Sequence, residues 1–524
     1  MIVEQLVPRS FQSVAICLVA FILVKALINR FGRGLNKVPG PFLAGFSDWW
    51  RVSVVWGRRP ELAHIKLHEQ YGPVVRIGPR TVSVGDAQAI KKIYALNAGF
   101  VKSEFYPVQQ TIANGHALQS MFNTTDERFH AKLRRSVSNA YAMSTLVNFE
   151  PLVDSTSEEF LKQLKLRYAN KPGDEGICDL GEWLQFYAFD VIGELTYSKR
   201  LGFVDHGTDV DNIISNLERL LNYVSVVGQL PILDRLFLKN PIKLWLSKFQ
   251  LWNSTSPVVE FAKKRMAERR YDEEATEEKT FADKPKRKDF LSRFREAGLK
   301  DPEFISEQRV LALTVANMFA GSDTTAITLR AVFYYLLRDQ SKMDKLLDEL
   351  DRESKAGHFR RDDSLVLWEE VRNLPYLGAV INEALRCHPA AGLPLERVVP
   401  AQGISIGGHN LPSGTIVGCS AWVLHRDEEV FGPNPVEFRP ERWIDATPEQ
   451  LSKMKNCLFS FGAGSRTCIG KNISLLELFK LVPTLLRTFE FEMVDPKVPW
   501  VLHNAWFVKQ SGFRVRLKVR EKMI

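Results

Sequence analysis

The spacing of apolar and polar positions changes several times along the chain. From Phe11 to Ile28 the sequence FQSVAICLVAFILVKALI is nearly unbroken apolar, with Lys25 its one charge. Its length is at the lower end of the roughly 17–25 residues that cross a bilayer as a helix. Glu61 to Tyr71 has a helical pattern that Gly72-Pro73 ends. Val74-Val-Arg-Ile-Gly and Thr81-Val-Ser-Val-Gly alternate as strands do, and the Gly-Pro-Arg turn makes them a hairpin. From Asp126 to about Gln250 only helices are predicted. Tyr271 to Lys288 is dense in charge without apolar periodicity, which predicts an exposed loop. Ser306 to Arg338 reads as one long helix. Val310, Leu311, Leu313, Val315, Met318 and Phe319 cover more than one of its faces, the pattern of a buried helix. The expected fold class is mainly α with a small β region.

The 524 residues include 45% hydrophobic and 25% charged positions, an ordinary globular balance with ample core. The formal net charge of +9 raises the question of nucleic acid. No zinc-finger spacing, aromatic RNA-binding signature or dense basic arm is present, so nucleic acid is excluded as a partner. An anionic membrane surface or an acidic protein fits the charge better. The six cysteines are scattered, which argues against a disulfide framework or a structural zinc site and suits a reducing compartment.

The charges around the apolar segment set its direction. Arg9 precedes it, whereas Arg30, Arg33 and Lys37 follow. The positive-inside rule puts everything after Arg30 in the cytosol. A cleaved signal peptide would have the opposite charge order. The expected organisation is a membrane anchor at 1–30, a basic, proline-rich hinge at 31–41 containing Lys37-Val-Pro-Gly-Pro41, and a catalytic domain at 42–524.

Candidate chemistry centres on Phe461-Gly-Ala-Gly-Ser-Arg-Thr-Cys-Ile-Gly470. Cys468 lies in a glycine-flanked loop before a helix-prone run. A thiolate there would see Arg466 and the amides of a helix N-terminus, both of which favour the ionised sulfur. Gly464 and Gly470 would let a flat ligand approach the backbone. A lone buried cysteine is more often structural. Here Phe461, Gly464, Arg466, Cys468 and Gly470 together match a full pattern: the segment resembles the haem-binding signature of the cytochrome P-450 superfamily. That resemblance implies the cytochrome P-450 fold after a single N-terminal transmembrane helix. It also implies haem b as cofactor, with Cys468 as axial ligand to the iron, and residence in the endoplasmic reticulum membrane.

Other segments resemble the family in the same order. His130 and Arg134, one turn apart, match the helix that binds a haem propionate; alone they would read as a solvated basic face. Arg397 and Arg466 match two further propionate positions. Ala320-Gly-Ser-Asp-Thr-Thr325 resembles the oxygen-activation motif. By that resemblance Gly321 leaves room for dioxygen, Thr324 hydrogen-bonds the bound oxygen and holds water, and Asp323 feeds protons inward. The local alternative is a helix kink stabilised by threonine back-bonding. Glu383, Arg386 and Arg442 match a buried structural triad. His425-Arg-Asp427 echoes a kinase loop without the rest of the kinase pattern and is read as coincidence.

The resemblance implies oxidation of a lipophilic small molecule with O2. Electrons would come from a separate NADPH-dependent flavoprotein reductase, docked on basic residues such as Lys132, Arg135 and Lys471. Phe100-Val-Lys-Ser-Glu-Phe-Tyr106, with His at 130, looks like the fungal pisatin-demethylase-like group, many of which act in secondary metabolism. Two alternatives use the same haem: a peroxide isomerase or dehydratase needing no reductase, and a non-catalytic haem-binding protein.

Overall fold

Helix α1, Ile2–Phe31, stands apart from the rest of the chain, and none of its Ser13–Phe31 segment is buried. The computed structural model describes residues 2–277, 289–360 and 365–521. The end of α1 is fixed to the domain by polar bonds. Asn29 donates to the carbonyl of Phe46 at 2.9 Å, and Arg76 donates to the carbonyls of Arg30 at 3.0 Å and Asn29 at 2.6 Å.

Short elements follow: α2 (Trp49–Trp56), α3 (Pro60–Tyr71), then the predicted hairpin as β1 (Val74–Arg76) and β2 (Thr81–Val84). Strand β3 is Val101–Lys102 and α4 is Glu127–Val137. Asp126 caps α4 by accepting from the amides of Arg128 and Phe129, which satisfies two of the orphan donors of its first turn. Strand β4, Ile177–Asp179, corrects the expectation of helices alone between 126 and 250. Its three residues are too few to show a period, and its partner lies far away at the C-terminus.

The helical core includes α5 (Leu180–Tyr197), α6 (Ile213–Val227), α7 (Pro257–Glu277), α8 (Glu307–Arg338) and α9 (Pro375–Cys387). Helix α7 overturns the loop expected from Tyr271, since 271–277 are helical; positions 278–288 of that expectation lie outside the described residues. Helix α8 passes through the middle and packs along α5. It is long and apolar enough to cross a membrane, but most of it is buried inside the domain.

Strands β5 (Arg397–Val398) and β6 (Ile416–Cys419) complete a sheet of order β1-β2-β6-β5-β3, parallel only between β2 and β6. Helix α10, Lys471–Thr488, follows the cysteine loop. It leads to β7 (Phe489–Met493), the hairpin β8 (Val501–Ala505) and β9 (Phe507–Ser511), and β10 (Arg514–Val519). Strand β10 pairs with both β7 and β4. The result is the expected mainly helical fold with a small β region.

Candidate active site

The cysteine loop is made of two tight turns and the start of α10. The amide of Cys468 donates to the carbonyl of Phe461 at 2.9 Å, and that of Thr467 to Gly464 at 3.1 Å. Gly464 has φ +68°, and a Cβ there would lie 1.7 Å from the carbonyl oxygen of Tyr94. The glycine is therefore required by a backbone contact, a different reason from ligand approach. Gly470 has φ −82° at the N-cap of α10. Cys468 lies deep in the fold yet is exposed, so its thiol faces open space.

Burial pushes the Cys468 thiol up. The amides of Gly470 and Lys471 and the charges of Arg134 and Lys471 oppose this without reversing it. Arg466 is not the cation that the thiol sees. Its guanidinium pairs with Glu127 at 2.7 Å and donates to the carbonyl of Met121 at 2.9 Å. Arg134 takes the expected place, donating to the carbonyl of Thr467 at 2.8 Å.

Around this loop the fold gathers cations from four distant segments. Pairing of β3 with β5 sets Lys102 opposite Arg397, and both are buried. Lys102 donates to the carbonyl of Phe122 at 2.5 Å and lies over the Tyr106 and Phe122 rings. Arg397 donates to the carbonyl of Glu396 at 2.8 Å and lies over the Tyr94 ring. Burial holds His130 down at about 3, reinforced by Arg466, Arg134, Lys102 and Arg397, so the imidazole is neutral. Among the described residues no carboxylate pairs with Lys102, Arg134 or Arg397, and only Glu127 pairs with Arg466.

Unpaired buried cations cost several kcal/mol. Such an excess, beside an exposed thiol, fits a flat dianionic group with a metal at its centre. Haem meets that description through its two propionates and its iron, and the residues present fit it. Lys102 was invisible as a member of this set in the sequence because its partner, Arg397, is brought to it only by sheet pairing.

The centre of α8 forms another wall. Ala320 is exposed and Thr324 half-buried, although Met318, Ser322 and Asp323 around them are buried. This stretch therefore borders open space. The Thr324 hydroxyl donates to the carbonyl of Ala320 at 2.7 Å, the back-bond of the local alternative. Gly321 is part-exposed, but its missing side chain points at α5. A Cβ there would meet the Ile192 side chain of α5 at 2.9 Å, so the room it leaves is filled by helix packing. Burial raises the Asp323 carboxyl, which accepts from Gln185 at 2.5 Å.

Behind the loop, Glu383 is fully buried. It accepts from Arg386 at 2.8 and 2.9 Å, from Arg442 and Trp443 at 2.8 Å, and from the amide of Arg439 at 2.8 Å. Burial raises this carboxyl, but the Arg386 bond and the charges of Arg386 and Arg442 outweigh that and leave it lowered. His425 joins the triad to the loop. Its Nε2 accepts from the amide of Phe459 at 2.8 Å, so Nδ1 carries the proton and donates to the carbonyl of Arg386 at 2.9 Å. In the sequence this histidine shows only as part of the kinase-like tripeptide, because its partner Phe459 lies 34 residues away.

Comparison with known proteins adds the family. The profile described as Cytochrome P450 matches residues 45–514. A cytochrome P450 monooxygenase of Aspergillus terreus is 43% identical over 91% of this chain and 94% of its own length. Cytochrome P450 monooxygenase cicH of Emericella nidulans is 40% identical, covering 96% of this chain and 97% of that protein. The chain is also 39% identical to cytochrome P450 monooxygenase mpaDE' of Penicillium brevicompactum, but spans only 57% of that protein.

Proposed function

The chain belongs to the cytochrome P450 family and is a haem-dependent monooxygenase, and from that premise we propose the role of each residue at its site. Cys468 is the thiolate ligand. Lys102, Arg134, Arg397 and Arg466 hold the propionates, with neutral His130 beside them. The observation that carries this reading is the exposed thiol near Lys102 and Arg397, two buried cations with no carboxylate partner among the described residues. Haem bound through a cysteine supplies oxygen activation, because thiolate ligation in such enzymes pushes electron density toward O–O cleavage.

The protein's own residues deliver protons and order the site. Burial raises the Asp323 carboxyl, which suits it to the role of proton donor. The Thr324 oxygen accepts from water while its hydroxyl is tied to Ala320; rotation away from that carbonyl lets it donate into the opening. Tyr106, Phe122 and Trp506 pack edge to face, with ring centroids 5.5–6.3 Å apart. Tyr106 and Trp506 are buried and back Phe122, which is exposed, and an exposed aromatic ring there suits a lipophilic small molecule. Likeness to the pisatin-demethylase-like group supports a substrate of fungal secondary metabolism. Electrons come from a separate NADPH-dependent flavoprotein reductase that docks near Cys468. Exposed Arg135 and Lys471 suit such docking, whereas Lys132 is engaged with Asp301 at 2.8 Å.

Anchoring in the endoplasmic reticulum, with the domain in the cytosol, is supported by α1 and by large apolar side chains exposed on the domain. Phe42, Leu43, Trp49 and Trp56 are more than half exposed, as are Ile232, Leu236, Phe237, Trp245 and Trp252. Asn253-Ser-Thr255 is an acceptor sequence for N-glycosylation on a surface loop. In cells it stays unmodified under this orientation, and a glycosidase-sensitive shift abolished by Asn253→Gln would reverse the topology. The site itself is tested by the spectrum of the reduced, carbon-monoxide-bound protein. A strongly red-shifted Soret band is expected in wild type and absent in Cys468→Ser. The position typical of histidine-ligated haem in wild type would remove the assignment.

A further inference from the structure

Strand β3 is the weakest joint of the sheet that carries the buried cations. It is an edge strand and pairs with β5 over two rungs only, Val101 with Val398 and Lys102 with Arg397. A pairing this short has little stability of its own. Its second rung also sets two cations directly opposite each other, and like charges in that position push strands apart. Both point to one side of the pair. Arg397 Nη1 lies 3.5 Å from the Tyr106 hydroxyl, and Lys102 stands over the Tyr106 ring.

The other side of the same strands is bonded together. Continuing the register by one residue brings Ser103 opposite Glu396. Successive side chains alternate between faces, so this rung points away from Lys102 and Arg397. The Ser103 hydroxyl donates to Glu396 Oε2 at 2.5 Å, and its oxygen accepts from the amide of Phe105 at 3.3 Å. Arg51 of α2 donates from Nη2 to Glu396 Oε1 in a close ion pair, and from Nη1 to the Thr81 hydroxyl of β2 at 3.2 Å. Ser103, Glu396 and Arg51 are all buried. Both carboxylate oxygens are therefore occupied by charge-assisted bonds, directly behind the rung that repulsion opens in front.

We propose that Ser103, Glu396 and Arg51 are positioning residues: a clamp on the back of β3 and β5 that holds Lys102 and Arg397 side by side against their mutual repulsion, so that both face the haem propionates. The clamp touches neither haem nor substrate and acts through the backbone of the two strands. The inference rests on reading Lys102 and Arg397 as propionate-binding.

The test follows haem loss from the full-length haem-loaded protein to excess apomyoglobin. Ser103→Ala should speed the loss by about fivefold, because it unpairs one oxygen of a buried carboxylate. Arg51→Lys keeps the charge but lacks the fork that reaches both Glu396 and Thr81, and should act in the same direction. In a Lys102→Met background the repulsion is gone, and Ser103→Ala should then change the rate by less than about twofold. Resonance Raman spectra should show shifted propionate bending modes in Ser103→Ala, with the iron–sulfur stretch unchanged. Equal fold-changes from Ser103→Ala in the two backgrounds, or propionate modes that stay in place, would overturn the clamp. Wild-type haem loss and wild-type propionate modes in Lys102→Met would instead overturn the propionate reading beneath it. Ser103→Ala removes one hydroxyl and no charge, so the test stands if Arg51→Lys fails to fold.

Discussion

The amide of Phe459 donates to Nε2 of His425 across 2.8 Å, and this bond ties the cysteine loop to the Glu383 triad. Burial holds His425 down at about 3 from its ordinary 6.5. A histidine with a depressed folded value contributes stability above the unfolded value. That contribution is lost as pH falls from 6.5 toward 3. His425→Phe should cost about 2–4 kcal/mol at pH 7 through two lost hydrogen bonds and the groups they leave unpaired. Its stability should also fall less steeply with acid, by up to about 1.4 kcal/mol per pH unit over that window. Melting temperatures from pH 7 to pH 4 test both; parallel curves for variant and wild type would show that His425 does not titrate on unfolding.

Glu383→Gln leaves Arg386 and Arg442 buried, with 1% and 4% exposure, and without their shared counter-charge. Breaking such a pair costs about 3–5 kcal/mol. The expected outcome is protein that neither retains haem nor melts cooperatively near the wild-type temperature. Normal expression and haem content in this variant would show that the backbone carbonyls around the two guanidiniums suffice.

Gly321 separates two explanations of one residue. If its missing side chain serves packing, Gly321→Ala crowds Ile192 and destabilises by about 1–3 kcal/mol. Ile192→Val should then restore both stability and turnover. If the glycine makes room for dioxygen, the second change restores stability alone while oxygen binding stays weak. Thermal melts and oxygen-binding rates of the single and double variants decide between them.

What the sequence made legible was whatever depends on near neighbours. The hairpin over 74–84, the helix carrying His130 and Arg134, and the long helix through 307–338 all follow from local period and turn chemistry. Cys468 was readable because its loop is set by spacing. Features that need distant partners were not. Lys102 meets Arg397 only through β3–β5 pairing, and His425 meets Phe459 only after the chain has turned back. Arg466 sits two residues from Cys468, yet Glu127 on α4 draws its guanidinium elsewhere. Helix α7 continues to Glu277 through a stretch rich in Arg, Glu and Ala, where helix propensity extends it without an apolar face.

Lys102 gives a prediction in which stability and function move in opposite directions. Burial drives its ammonium well below the ordinary value of 10.5, helped by Arg397 and Arg466. In the haem-free protein this cation is a cost, since burying a charge without a counter-charge is unfavourable. Lys102→Met keeps the length and the contact with Tyr106 and Phe122 while removing the charge. The haem-free variant should therefore melt above wild type. A propionate beside Lys102 reverses the balance, because an opposite charge favours the protonated amine. Haem affinity should fall by about tenfold in the variant, the equivalent of about 1.4 kcal/mol. There is also a signature in pH. Propionate binding moves the lysine back toward its ordinary value, so haem uptake takes up protons from solution and weakens as pH rises through that range. Lys102→Met should lose that part of the pH dependence. Haem titrations at several pH values, with melts of the haem-free proteins, measure all three effects. A variant that binds haem as tightly as wild type, with the same pH slope, would place the propionates away from Lys102 and leave Arg134, Arg397 and Arg466 to hold them.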